Sequence, residues 1–112
     1  MLGVGNRRVT ADALGPRTVQ KVFVTMGPRT VPVQGIRPVA AIAPGVSGST
    51  GLTLCQLAGA MVEAVRPAAL ICVDSLCSSE PQRLGRTLQF SDTGLCPAQP
   101  GSRKHLDAAS TG

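Results

Sequence analysis

Apolar positions fall into four short runs, separated by polar stretches rich in glycine and proline. Leu2 and Val4 belong to the first, which ends where Gly5-Asn6 turns the chain. Val39-Ala40-Ala41-Ile42-Ala43 is the second. The third, Ala69-Leu70-Ile71-Cys72-Val73, lies between Pro67 and Ser75 and runs directly into Asp74. This continuous run between breakers predicts a strand buried on both faces. Thr87-Leu88-Gln89-Phe90 alternates weakly and predicts a fourth strand, closed by Ser91-Asp92-Thr93-Gly94.

Between these runs the apolar spacing changes to three and four. Leu54, Leu57, Ala58, Met61, Val62 and Val65 trace one helical face, ended by Arg66 and Pro67. An earlier helix is expected to start with Thr10 as its cap and Ala11, Asp12 and Ala13 in its first turn. The helix dipole favours Asp12 there. Leu14, Val19, Val22 and Phe23 give that helix an apolar side, and Pro16 is tolerated only in the first turn. Residues 25–38 carry three prolines and two glycines and predict a loop, with a short edge strand over Thr30–Val33. Pro44 to Gly51 is a glycine-rich strand-to-helix turn without the lysine of a phosphate-binding loop, so nucleotide binding gains no support. Ser75–Gly85 is polar and predicts a loop or short helix.

Strands alternating with helices predict an α/β fold with a largely parallel sheet covered by helices. Residues 1–95 form the expected domain. Residues 96–112 are proline, glycine, serine and charge without a core pattern, and are expected to be a poorly ordered polar tail.

Composition narrows this picture. At 112 residues, the chain is long enough for one small core. Hydrophobic residues make up 43% but aromatic ones 2%, so the core must be aliphatic. No apolar run approaches the ~20 residues of a membrane span, and no N-terminal pattern points to secretion. Cys55, Cys72, Cys77 and Cys96 make no C-x-x-C pair, which argues against zinc. Cys55 and Cys72 read as small core residues of a reduced, cytoplasmic protein. The net charge of +5 is scattered apart from two basic pairs and lacks interleaved aromatics. It therefore favours an acidic protein partner over nucleic acid.

The candidate chemistry lies in the acids. Asp12, Asp74 and Asp92 each follow an apolar run, and in open α/β sheets chemistry sits at the carboxyl ends of strands. Each alone is an ordinary capping residue. Together on one edge, such carboxylates could share a proton and activate water, or hold a metal. His105 sits in the polar tail and reads as a solvated residue. No Ser-His or Cys-His pair has sequence support.

Four motifs in order carry a resemblance. Gly5-Asn6-Arg7-Arg8-Val9-Thr10-Ala11-Asp12-Ala13-Leu14-Gly15-Pro16 resembles the opening motif of the germination protease family of spore endopeptidases. Ile42-Ala43-Pro44-Gly45-Val46-Ser47-Gly48-Ser49-Thr50-Gly51 is similar to the second motif, Val73-Asp74-Ser75-Leu76 to the third, and Gln89-Phe90-Ser91-Asp92-Thr93-Gly94 to the fourth. The resemblance implies an atypical aspartic-type endopeptidase that degrades small acid-soluble spore proteins in the spore or forespore compartment. It implies a three-layer αβα, phosphorylase/hydrolase-like fold, shared with the hydrogenase maturation endopeptidases. It also implies catalysis by Asp12 and Asp74, with no metal or other cofactor, no nucleic-acid or membrane partner, and a homo-oligomer as one option. The family chain is longer, so this chain is expected to be a truncated or divergent member, incomplete at both ends. Cys96–Ser102 replaces the family's glycine-rich run, and Cys77-Ser78-Ser79-Glu80 replaces a small-and-basic one. Two alternatives stand beside the peptidase reading: an inactive fragment that only folds or binds, and a metal-dependent endopeptidase of the maturation type.

Overall fold

Strand β1 (Leu2–Gly3) is the centre of the sheet, and its backbone donors go to both sides. In the computed structural model, described over residues 1–28 and 32–94, β1 pairs in parallel with β2 (Cys72–Val73), Leu2 opposite Cys72 and Gly3 opposite Val73. The N–H groups of Leu2 and Val4 donate to the carbonyls of Ile71 and Val73, both at 2.8 Å. Gly3 N–H turns the other way, to the Ile42 carbonyl at 2.9 Å, and Ile42 N–H returns to Met1 at 3.0 Å. Leu2 and Ile42 thus form a parallel bridge, and the second apolar run contributes only that bridge. The result is a small α/β fold on a parallel sheet.

Alternation along β1 assigns its two faces to different helices. Leu2 and Val4 are buried in one cluster with Leu54 and Ala58 of helix α3 (Leu54–Val65), bordered by Cys55, Met61, Leu70 and Cys72. Gly3, on the opposite face, lies against helix α1 (Leu14–Val19), where a Cβ would stand 2.6 Å from the Gly15 carbonyl carbon and from Val19 Cγ2. Gly15 in turn leaves no room for a side chain: a Cβ there would meet the Val4 carbonyl oxygen, and would stand 2.5 Å from Val4 N and the Val73 carbonyl oxygen. Two glycines back to back let the α1 backbone rest on the sheet backbone.

The long helix follows its pattern. Thr53 caps it by accepting from Gln56 N–H, and the Gln56 side chain accepts from Thr53 N–H at 2.9 Å. This reciprocal box satisfies two donors that the helix start would orphan. Arg66, in the left-handed region at φ 48°, ends it. A short helical turn, α2 (Ser47–Thr50), sits inside the glycine-rich stretch before it and is stopped by Gly51.

Several expectations are corrected. The first helix does not start at Thr10: Thr10–Asp12 is a separate 3₁₀ turn with Val9 at its cap position and no side-chain cap bond. Pro16, at the third position of α1, falls in its first turn, where its missing N–H costs no helical bond. The helix ends at Val19, so Val22 and Phe23 add nothing to its face, and Phe23 is exposed. The run Ala69–Val73 is not buried on both faces, since Ile71 remains 59% exposed. Ile71 lies just before β2 on the sheet face of Val73, and it is at Val73 that α1, a helix only about 9 Å long, rests through Gly15. Thr87–Phe90 is not a strand: it has no pairing partner among the described residues, and an isolated strand leaves its backbone unpaired. Of the loop expected over residues 25–38, the described parts, 25–28 and 32–38, hold no helix or strand, and the Thr25 and Met26 N–H groups donate to the Val39 carbonyl. The edge strand expected at Thr30–Val33 falls partly outside the described residues, as does the whole tail 96–112.

Candidate active site

The carboxyl ends of β1 and β2 lie side by side because the strands are parallel, and each leads to one of the expected aspartates. After β1 the chain reverses at Gly5, whose φ of 124° suits glycine alone. The Asp12 carboxylate packs over Gly5; a Cβ at position 5 would stand 3.0 Å from Asp12 Oδ1. Asn6 N–H donates to Asp12 Oδ2 at 2.8 Å, and Asn6 Oδ1 accepts from Arg8 N–H at 3.0 Å. The 3₁₀ turn closes this loop, with Asp12 N–H donating to the Val9 carbonyl at 2.9 Å. Asp12 is therefore fixed by its own loop, half-buried, immediately before α1.

Asp74 follows β2 directly. Its Oδ1 accepts from Ser75 N–H at 2.8 Å. No helix begins there, so the capping alternative for Asp74 loses its object. Partial burial pushes the Asp74 carboxyl above the usual carboxylate range, the Ser75 N–H bond works against that, and the nearby Asp12 charge adds to it. Two carboxylates that feel one another at a strand-end edge are an arrangement in which one can hold a proton while the other is ionised.

Asp92 does not join them. It lies exposed in a bend, and no hydrogen bond links it to Asp12 or Asp74. His105 and Cys96 fall outside the described residues. Among the described residues, no three His, Cys, Asp or Glu side chains converge as a metal-ligand set. Cys72 borders the core, and burial holds its thiol above the ordinary range, with the chain's terminal ammonium opposing and Asp74 reinforcing the shift. It has the character of a packing residue rather than a nucleophile.

Three features escaped the sequence reading. The Ser75 hydroxyl oxygen is buried beside Asp74 and makes no hydrogen bond among the described residues. Gly5, Gly3 and Gly15 act as a set that seats the Asp12 loop and α1 against the strands. A cleft of about 160 Å³ opens beside the turn at Gly5, lined by Gly5, Arg7, Pro16, Gln20, Ala43 and Gly45. With its amide oxygen turned to Arg7, Gln20 accepts from Nη1 at 2.6 Å and Nη2 at 3.1 Å. A signal existed for two of the glycines, Gly5 and Gly15, which flank Asp12 within the first motif.

Comparison with known proteins agrees with the motifs. The sequence model of the germination protease family matches residues 1–112. The chain is 41% identical over 101 residues to a germination protease of Clostridium perfringens (strain SM101 / Type A), covering 87% of this chain and 31% of that protein. It is 39% identical over 119 residues to that of Geobacillus sp. (strain WCH70), covering 100% of this chain and 32% of the relative. For Bacillus subtilis (strain 168) the values are 38% over 112 residues, 96% and 30%. The chain thus spans about a third of the length of these curated relatives.

Proposed function

The chain belongs to the germination protease family, and from that membership we propose that it carries the catalytic aspartates of a spore endopeptidase. Asp12 and Asp74 act together on a water molecule. Asp12 draws a proton from the water as it attacks a peptide carbonyl. Asp74, which partial burial and its neighbour's charge hold toward the protonated form, supplies a proton to the leaving side. The buried Ser75 hydroxyl beside Asp74 is a further donor for the reacting groups. The observation that supports this reading is that β1 and β2 run parallel and each leads at its carboxyl end to one of the two aspartates, with the Asp12 charge felt at Asp74.

Three finer statements belong to the same proposal. The substrates are small acid-soluble spore proteins, which fits a chain of net charge +5. The compartment is that of the spore or forespore; among the described residues no helix is long and apolar enough to cross a membrane. The architecture is a three-layer αβα domain, supported by the packing of α3 and α1 on opposite faces of β1. Assembly with further copies of the chain is part of the same expectation.

The test is cleavage of a purified acidic spore protein by the chain, beside Asp12→Asn and Asp74→Asn. Either substitution is expected to lower the rate by at least about a hundredfold, the low end of what a positioned acid or base contributes. Cleavage unchanged by both substitutions would remove the aspartate mechanism. Intact substrate under every condition would leave a chain that folds and binds without cutting.

A further inference from the structure

The second apolar run, residues 39–43, lies at a lateral edge of the sheet, and only part of its outer side is in use. Its hydrogen bonds alternate as those of a parallel strand do. Toward β1, the Ala40 carbonyl accepts from the Met1 nitrogen at 2.6 Å, Ile42 N–H donates to the Met1 carbonyl at 3.0 Å, and the Ile42 carbonyl accepts from Gly3 N–H at 2.9 Å. Away from β1, the Val39 carbonyl accepts from the Thr25 and Met26 N–H groups at 2.9 and 3.0 Å, and Val39 N–H donates to Thr25 Oγ1 at 2.9 Å. The same alternation puts the N–H and C=O groups of Ala41 and Ala43 on the outer side. None of these groups has a hydrogen-bond partner among the described residues.

The open groups are accessible. Ala43 is exposed and Ala41 half-buried, and an alanine side chain is too short to shield the backbone beside it. Unpaired N–H and C=O groups along a sheet edge are a template for a further strand, and folded chains blunt such edges with a charge, a bulge or a covering loop. Val39-Ala40-Ala41-Ile42-Ala43 carries no charge, and among the described residues the bonds of the preceding loop reach only as far as Val39. Pro38 and Pro44, which have no N–H to give, bound the stretch, so an added strand pairs at Ala41 and Ala43.

The place where this open stretch ends indicates what it takes. Ala43 and Gly45 wall a cleft together with Gly5, and the Asp12 carboxylate packs over Gly5. A strand laid along Ala41 and Ala43 therefore runs off toward the carboxyl ends of the sheet, where the candidate site lies. We propose that this lateral edge takes an extended segment of the protein substrate as an added strand, holding by its backbone a stretch that flanks the bond to be cut. This rests on the peptidase reading above, since it takes Asp12 and Asp74 as the reacting groups. Such recognition is made by main-chain hydrogen bonds, so it asks of the substrate an extended conformation and free amides at alternate residues, with no proline among them.

The experiment reads the edge itself and does not depend on turnover. The full chain carrying Asp74→Asn is mixed with overlapping short peptides that tile an acidic spore protein; binding is followed by fluorescence anisotropy and amide hydrogen exchange by NMR. In the free chain the Ala41 and Ala43 amides are expected to exchange fast, and the Ile42 amide slowly. A bound peptide is expected to slow Ala41 and Ala43 by at least about tenfold and to leave Ile42 as it was. Methylating the peptide amides one at a time is expected to lower affinity by about tenfold at every second residue and little in between, the scale of one hydrogen bond. Ala41→Pro removes one open donor and is expected to weaken binding; where that variant does not fold, the exchange and methylation patterns decide alone. Binding that leaves Ala41 and Ala43 unprotected, a methylation profile without the alternation, or no binding of any peptide would overturn the proposal. So would slow exchange at both alanines without peptide, whether constant or growing with chain concentration, because the edge would then be filled by the chain itself or by a second copy. Peptide-dependent protection in a chain whose parent never cleaves would keep the strand-adding edge and remove the peptidase reading. Cleavage by a chain whose edge stays unprotected would do the reverse.

Discussion

Large apolar side chains meet different fates on the two sides of Ser75. Before it, Leu2, Val4, Leu54 and Ala58 are buried together, and hydrogen bonds connect residues far apart in the chain, such as Gly3 to Ile42 and Leu2 to Ile71. After it, Leu76, Leu84, Leu88 and Phe90 are all exposed, and among the described residues the hydrogen bonds of 76–94 stay within four positions. Among the described residues there, the only element is the 3₁₀ turn Pro81–Arg83. Apolar residues are sparser after Ser75, and the large ones that remain there also lack a partner. β1 receives β2 on one side and Ile42 on the other, and each of its faces meets a helix. The segment 87–90 has neither a neighbouring strand nor a covering helix among the described residues. A strand is stabilised by its pairs, so alternation alone does not make one.

The largest test of this contrast is at Gly15. A Cβ there would run into backbone atoms of Val4 and Val73, which cannot rotate away. Gly15→Ala must therefore lift α1 off both strands and unseat the loop of Asp12. We expect a loss above about 4 kcal/mol, or no cooperative folding at all, by urea denaturation followed by far-UV circular dichroism. Gly48→Ala is the matched control. It too is helical, but a Cβ there meets nothing within 4 Å. It should be neutral or slightly stabilising, by up to about 1 kcal/mol. Equal tolerance at the two sites would mean that the close backbone approach is not what holds α1.

A smaller effect is expected at Asp74, and its sign is set by pH. The Asp74 carboxyl binds its proton more tightly in the folded chain than in the unfolded one. The folded state thus retains a proton that the unfolded state has released, and stability falls as pH rises from the ordinary aspartate range through the raised value. Asp74→Asn keeps the acceptor for Ser75 N–H and removes the charge. Below about pH 3.5 the variant and the parent should melt together. Through the window above, the variant should become the more stable of the two, and the gap should then level off. A variant less stable at neutral pH would show that the ionised carboxylate is held by favourable contacts instead.

Much of the better-packed region was legible because its causes are local or periodic. The three- and four-residue spacing of Leu54 to Val65 marks a helix whatever surrounds it, and Arg66-Pro67 marks its end. The Thr53-Gln56 box was written as plainly and went unread. That Asp12 and Asp74 follow neighbouring strands could be anticipated, because both follow runs that a parallel sheet would align. Their surroundings could not. The Arg7–Gln20 contact depends on how α1 crosses the strands, and that crossing is set by Gly3 and Gly15, which contribute no hydrophobic signal. Asp92 was grouped with the other two acids through a strand at Thr87–Phe90; without that strand nothing carries it to the same edge.

The smallest expected effect is at the segment that did not become a strand. Leu88 is 79% exposed and Phe90 is 90% exposed. A side chain that stays in water when the chain folds contributes almost no transfer free energy, since that term scales with area removed from water. The nearest structural support is local: Thr87 Oγ1 donates to the Arg83 carbonyl at 2.8 Å, and the Ser91 and Thr93 hydroxyls lie 2.6 Å apart. Neither bond uses Leu88 or Phe90. Phe90→Ser should therefore change unfolding stability by no more than about 0.5 kcal/mol, and the double change with Leu88→Ser should do the same. An effect on association is expected instead. Two exposed apolar side chains two positions apart, flanked by polar residues, favour contact between molecules, so the double variant should elute later or more symmetrically in size-exclusion chromatography at high concentration. A stability loss above about 1 kcal/mol, with unchanged elution, would place these side chains in a packed environment and would erase the contrast between the two regions at its clearest point.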